Sequence, residues 1–159
     1  MTENSYRTAI PRKTLSSPAS ALSRKGLIRG KVLDFGSGKS KDSEMLGGAK
    51  YDPHFSPKMP KGKYDTILMS FVLNTLKEGN QKKALEAAQR KLKRRGILYA
   101  TVRTDAKNLK GATTRGTYQT LVDMDYPIVA RGNGFKTYKI EKVTAPKWVR
   151  ISPKAMVNN

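Results

Sequence analysis

The sequence predicts an α/β domain on a mostly parallel sheet, and three observations predict it. The stretch Lys31-Val-Leu-Asp-Phe-Gly-Ser-Gly-Lys-Ser40 brackets an aspartate with apolar residues and follows it with Gly-x-Gly. That is the pattern of a buried strand running into a tight turn and a short helix. Eighteen residues after Asp34 comes Asp52, closing a second short strand, Ala49-Lys-Tyr-Asp52. Tyr64-Asp-Thr-Ile-Leu-Met-Ser-Phe-Val-Leu73 is then a nearly continuous apolar run, as a central parallel strand covered on both faces requires.

The remaining elements follow in order. Residues 1–13 are polar and basic, with Arg7, Arg12 and Lys13, and read as an N-terminal arm. Ser17 is the expected N-cap of a first short helix, with Pro18 at its first position and Gly26 as its stop. Leu27 and Ile28 dock it on the body. The first strand is Lys31–Phe35 and the helix after the glycine turn is Ser40–Leu46, stopped by Gly47-Gly48. Residues 53–63 contain three prolines and read as a loop. Eleven residues cannot hold a helix and a further strand, because one crossover needs a dozen or more. The sheet is therefore expected to lack the usual third strand unit.

Beyond the central run, Asn74–Asn80 is a turn, and Asn80 is the expected cap of a helix over Gln81–Lys93. Its Ala84, Leu85, Ala88 and Leu92 share one face. A strand over Ile97–Val102 comes next, then a long polar loop over 103–116. Thr117–Val129 is weakly helical and broken by Pro127. Phe135–Val143 and Trp148–Ile151 are expected to form an antiparallel hairpin across Pro146, followed by a polar tail over 152–159. No internal repeat or boundary divides the 159 residues, so one domain is expected.

Charge narrows the partners. Lys and Arg number 32 against 12 Asp and Glu, a formal net charge of +20. Such a field opposes compaction and attracts polyanions, so nucleic acid is the expected partner. A membrane partner is not expected, because no basic amphipathic helix rich in Trp or Phe appears and no apolar run approaches the length of a membrane span. Cys is absent and His54 is the single histidine. Thiolate nucleophiles and Cys-based metal sites are thereby excluded, and no metal is expected. The expected location is the cytoplasm.

Three ligands compete for the glycine turn. Gly38-Lys-Ser40 ends a phosphate-loop pattern, but that pattern needs glycine where Leu33 stands and places Asp34 inside a phosphate cradle. A dinucleotide fingerprint fits Gly36 and Gly38 but meets Lys41 at its third glycine. S-adenosylmethionine brings no phosphate. It needs a turn open to close backbone approach, an acid near its cationic amino end and an acid for the ribose hydroxyls. Asp34, Gly36, Gly38 and Asp52 supply these.

Val32-Leu-Asp-Phe-Gly-Ser-Gly38, Tyr51-Asp-Pro-His54 and Tyr64 to Asn74 together resemble the class I S-adenosylmethionine-dependent methyltransferases. More narrowly, the chain is similar to the methyltransferase-like proteins associated with DNA phosphorothioation gene clusters. This narrower likeness extends to Thr8-Ala-Ile-Pro-Arg12, Leu15-Ser16 and Thr114-Arg-Gly-Thr-Tyr-Gln119, so it covers most of residues 8–120. The resemblance implies a Rossmann-like methyltransferase fold, with Asp34, Gly36 and Gly38 at the methionine end of the cofactor and Asp52 at the ribose. Ser37, Ser70 and Phe71 complete the candidate cofactor contacts. Asn74-Thr-Leu stands where amino-methylating DNA enzymes carry Asp/Asn-Pro-Pro-Tyr/Phe, and the absence of Cys removes the covalent cytosine route.

His54 and Asn74 are the catalytic candidates, both placed just beyond strand ends. Arg12, Lys93, Arg94, Arg95, Arg115 and Gln119 are the nucleic-acid candidates. The function expected is methyl transfer to nucleic acid. The alternative is an inactive nucleic-acid-binding or counter-defence module on the same fold.

Overall fold

The computed structural model describes residues 14–105, 111–112 and 118–142. The N-terminal arm with Arg12, the loop residue Arg115, the strand expected at Trp148–Ile151 and the tail lie outside them. The elements are α1 (Ser17–Arg24), β1 (Val32–Phe35), α2 (Asp42–Met45), β2 (Ala49–Tyr51), β3 (Tyr64–Ser70), a 3₁₀ turn (Leu73–Thr75), α3 (Glu78–Arg90) and β4 (Leu92–Arg103). The short strands β5 (Gly111–Ala112) and β6 (Tyr118–Gln119) follow, then β7 (Ile128–Gly132) and β8 (Phe135–Glu141).

Six strands form one sheet in the order β2-β1-β3-β4-β8-β7. β1 pairs in parallel with β2 and β3, and β3 with β4. β8 runs antiparallel to both β4 and β7. Among the described residues β2 is an edge with nothing paired beyond it, as the short 53–63 segment requires.

Alternation along the strands divides the core between the two faces of the sheet. Leu33, Phe35, Ile67, Met69, Leu98 and Ala100 pack with Ala84 and Ala88 of α3 and with Leu73 and Leu76. On the opposite face Val32, Leu68, Tyr99 and Phe135 pack with Ala19, Ala21 and Leu22 of α1. The result is three layers, α3 over sheet over α1.

Several boundaries differ from expectation. The N-cap of α1 is Ser16 rather than Ser17, with Pro18 still inside the first turn. Pro lacks an N–H, and the first turn is where that lack is harmless. Helix α3 begins at Glu78, not Gln81, and its carboxylate complements the helix N-terminus. Asn80 is inside the helix, while the Gln81 Nε2 donates to the carbonyls of Leu73 and Leu76 at 2.9 Å each. That helix stops at Arg90, because Leu92 already pairs with Tyr64 in the sheet.

The weak helix expected over Thr117–Val129 is absent. The Thr120 N–H donates to the Asn74 carbonyl at 2.9 Å and the Lys139 N–H to the Pro127 carbonyl at 2.8 Å, which ties both ends of this irregular segment to the body. The observed C-terminal hairpin is therefore β7–β8, closed by the turn at Asn133-Gly134.

The seam between the parallel and antiparallel halves contains one buried polar pair. Thr101 and Thr137, 1% and 0% exposed, share a hydroxyl hydrogen bond of 2.7 Å. Replacing one partner strands the other, which costs about 1–3 kcal/mol, whereas removing both is nearly neutral. Urea unfolding should show Thr137→Val destabilised by that amount, and Thr101→Val/Thr137→Val restored to near the wild type.

Candidate functional site

Because β1, β2 and β3 are parallel, the turns that follow them meet at one end of the sheet. After Phe35 the chain reverses through Gly36 and Gly38, at φ +81° and +55°. Residues with a side chain pay about 1–2 kcal/mol for that left-handed region. A Cβ on Gly36 would also lie 2.4 Å from Cγ2 of Val72, so the turn is packed directly on the segment that follows β3.

Backbone bonds fix the turn. The N–H groups of Gly36 and Ser37 both donate to the Tyr51 carbonyl, at 2.7 and 3.0 Å, and Ser40 N–H donates to the Ser37 carbonyl at 2.9 Å. The buried Asp52 carboxylate accepts from Gly38 N–H at 2.8 Å on Oδ2, and from His54 and Phe55 N–H at 2.8 and 3.0 Å on Oδ1. Asp52 thereby ties the end of β2 to the glycine turn of β1.

A second carboxylate was not singled out by the sequence. Asp42, 2% exposed, accepts from the Ser16 N–H at 2.8 Å and from its hydroxyl at 2.6 Å. The N-cap of α1 is thus fastened to α2. The one available signal was the Ser16-Ser17-Pro18 string, which marks a cap but leaves its partner unknown.

Asp34 has no such support. It is 3% exposed, and its Oδ2 is buried with no hydrogen-bond partner. Burial pushes its pKa from 3.8 to about 8, reinforced by the negative charges of Asp42 and Asp52 and opposed by Lys50. Among the described residues, the buried side-chain polar atoms without a partner are Asp34 Oδ2, Ser37 Oγ and Asn74 Oδ1. All three belong to segments that leave the same end of β1 and β3.

Asn74 and Gln119, singled out separately in the sequence, are bonded to each other. Asn74 Nδ2 donates to Gln119 Oε1 at 2.9 Å, in a buried pair. Gln119 is 5% exposed, so its side chain is occupied inside the fold rather than presented to a phosphate on the surface. Ser70 is the last residue of β3 and is half-buried. Phe71 follows in the left-handed region at φ +58°, held by a 2.9 Å bond from its N–H to the Thr101 carbonyl and by an edge-on contact with Phe135. Backbone strain of this kind concentrates at functional sites.

His54 is exposed in the turn after β2, edge-on to Phe55 with ring centroids 4.6 Å apart. Lys93, Arg94 and Arg95 are exposed at the far end of the sheet, near the start of β4. Among the described residues no group of three or more His, Asp and Glu is placed to hold a metal, and no helix is long and apolar enough to cross a membrane.

No known family profile matches the chain, and no curated protein matches it. Solved structures do. The chain is similar to DhpI in complex with S-adenosylhomocysteine, at a TM-score of 0.56 and 16% identity over 77% of this chain and 82% of that one. It is similar also to the 1,6-didemethyltoxoflavin-N1-methyltransferase of Burkholderia thailandensis with 1,6-didemethyltoxoflavin and S-adenosylhomocysteine bound. There the TM-score is 0.58 and the identity 15%, over 80% of this chain and 78% of that one. At these identities the likeness is one of fold: the chain has the Rossmann-like fold of S-adenosylmethionine-dependent methyltransferases.

The raised pKa of Asp34 has a thermodynamic sign. An unfolded Asp titrates near 3.8 and the folded one near 8. Between those values the folded chain keeps a proton that the unfolded chain has lost, so this group lowers stability as pH rises and its effect levels off above pH 8. Asp34→Asn has no charge to bury. Urea unfolding without ligand should find it more stable than the wild type by a margin that widens from pH 4 to pH 8 and reaches at least about 1 kcal/mol. Parallel pH profiles for the two proteins would contradict this account.

Proposed function

We propose that this protein is an S-adenosylmethionine-dependent methyltransferase working on, or docked to, nucleic acid. One observation carries the cofactor assignment. Among the described residues, the buried polar atoms left without partners are acceptors or a hydroxyl, and the acid among them feels one opposing cation, Lys50, against burial and the charges of Asp42 and Asp52. A ligand with an ammonium and a sulfonium offers those atoms the donors and the positive charge they lack.

Phosphate ligands suit the same end of the sheet poorly. The N–H groups of Gly36, Ser37, Gly38 and Ser40 are all occupied by protein acceptors. A phosphate cradle needs such groups free and aimed at the ligand. The buried carboxylates Asp34, Asp42 and Asp52 would repel it further.

In this reading Asp34, Ser37 and the turn Gly36–Gly38 hold the amino-acid end of the cofactor. Asp52 takes the ribose hydroxyls. Its three backbone bonds leave lone-pair capacity on a carboxylate that can accept about four. Ser70 and the strained Phe71 border the same crevice. When bound, the cofactor supplies a methyl group made electrophilic by its sulfonium. The protein contributes position rather than strong acid–base chemistry. Gln119 fixes the Asn74 amide so that Nδ2 is engaged and the buried Oδ1 is left as an acceptor without a donor. His54 is on the surface and serves at most as a relay to solvent.

The net charge of +20 supports a nucleic-acid partner, and the narrower likeness to phosphorothioation-associated proteins supports DNA. The Burkholderia thailandensis structure holds a small molecule, and its acceptor class is not carried over. The second reading, a binding module that keeps the cofactor but not catalysis, is favoured by the exposure of His54, the one histidine of the chain.

Calorimetry separates these readings from a nucleotide hydrolase. Wild type should bind S-adenosylhomocysteine and not ATP. Asp34→Asn should weaken the binding by more than tenfold, about 1.4 kcal/mol, and Asp52→Ala should abolish it. Preferential ATP binding would overturn the assignment. Methyl transfer from labelled cofactor to DNA, RNA and protein pools then distinguishes enzyme from binder.

A further inference from the structure

Among the described residues, a cluster of cations gathers at the end of the sheet opposite the crevice. Cations arrive there from separate parts of the chain, because the starts of parallel strands and the end of the antiparallel β8 share that pole. Lys31 precedes β1, Lys63 precedes β3, Lys91 follows α3 and Lys142 follows β8. Their contacts join them into one surface. Lys31 and Lys91 both sit over the Tyr64 ring, at 4.7 and 5.9 Å. Lys91 Nζ donates to the Pro60 carbonyl at 2.7 Å, Lys142 Nζ to that of Leu92 at 2.6 Å, and Lys63 Nζ to that of Arg90. A carbonyl engages one of the three ammonium donors and cancels none of the charge.

The most exposed part of this pole is a bulge. Tyr64 pairs with Leu92 and Thr66 with Ile97, so Asp65 alone on β3 faces Lys93, Arg94, Arg95 and Gly96 on β4. The three cations of the bulge are exposed. Lys93 meets Asp65 at 3.0 Å, and no ion pair of Arg94 or Arg95 is found among the described residues. Gly96 closes the bulge tightly, since a Cβ there would lie 2.7 Å from the Tyr64 carbonyl. Beside it runs a shallow groove of about 280 Å³ lined by Lys63, Glu86, Gln89, Arg90 and Lys142. The crowding is felt within the cluster: burial first, then the charges of Lys63 and Lys31, hold the Lys91 pKa below its usual value.

We propose that this pole docks the sugar–phosphate backbone of a nucleic-acid duplex and holds it on the opposite side of the molecule from the cofactor crevice. The proposal rests on the nucleic-acid reading above and specifies where and in what form the polymer binds. A set of mutually repelling cations gains stability when a polyanion replaces their counterions. A duplex is favoured over a single strand because stacking needs exposed rings, and among the described residues the ring held under these lysines, Tyr64, is 1% exposed. A membrane is disfavoured for a similar reason. The exposed large apolar residues among those described are Met45, Leu121 and Ile128, which lie in α2, after β6 and at the start of β7 rather than beside the bulge.

The seven residues of β3 separate the two poles, a distance of about 20 Å at ~3.3 Å per residue. A duplex lying on the bulge is therefore an anchor. The group presented to the crevice belongs to another part of the same polymer or to another molecule.

Fluorescence anisotropy with a labelled duplex, the matching single strand and anionic phosphatidylserine vesicles tests this. Lys93→Glu/Arg94→Glu/Arg95→Glu should lose at least tenfold in duplex affinity. Its salt dependence should fall by roughly three phosphate contacts, about 2.7 in log–log slope. Lys77→Glu/Lys82→Glu/Lys83→Glu carries the same charge change on and just before the exposed first half of α3, and should lose far less. Calorimetry with S-adenosylhomocysteine on the same samples should be unchanged and reports that both variants are folded. Equal losses in the two variants, or tighter binding of the single strand or the vesicles, would overturn the docking face while leaving a polyanion partner standing. A wild type that binds no duplex but keeps S-adenosylhomocysteine would overturn the nucleic-acid reading with it.

Discussion

Parallel pairing of β1, β3 and β4 sorts the chain by polarity. Whatever follows a strand is delivered to one pole, and whatever precedes it to the other. The glycine turn, Asp52 and the strained Phe71 all follow strands, and Lys31, Lys63 and Lys91 all precede them. The gathering of three buried acids at one pole and of a cluster of exposed bases at the other is therefore a consequence of topology acting on a sequence with few carboxylates. Twelve acids among 159 residues cannot neutralise every surface. Three of them are buried near one turn, which leaves still fewer for the rest.

That burial sets the character of the crevice. Asp42 is compensated by the N–H and hydroxyl of Ser16, and Asp52 by three backbone N–H groups. Asp34 lies between these satisfied neighbours and receives their charge without their hydrogen bonds. An isolated buried carboxylate responds by holding its proton. A cationic ligand would reverse the balance by giving the ionised form a partner, as the reading of the crevice proposed above requires.

How much of this was legible depended on sequence separation. Asp34, Gly36, Gly38 and Asp52 lie within two short strands and their turns, and local spacing was enough to bring them together. Asn74 was visible as a polar residue at the end of an apolar run, and Gln119 as a polar residue beside the long loop. Their bond spans 45 positions, and nothing local announces it. Ser16 and Asp42 were hidden because two serines in a row both suit a cap, and the choice is made by a carboxylate 26 residues away. The start of β4 was hidden for another reason. Lys93-Arg94-Arg95 interrupts the apolar pattern and follows a helix, so the run reads as a helix end, although Leu92 has already entered the sheet. Irregular, non-helical backbone over residues 120–127 is held by backbone bonds to Asn74 and Lys139, which overrode a weak helical preference.

The β4 bulge separates two kinds of change. On its crevice side β3 and β4 stay in register from Thr66–Ile97 to Ser70–Thr101. The extra residues are absorbed before that ladder begins, between Leu92 and Gly96. Length and charge in this segment can drift without shifting a single rung near the glycine turn. The bulge thus makes the molecule modular along one strand: the surface at its beginning can change in length and charge while the ladder at its end keeps its register.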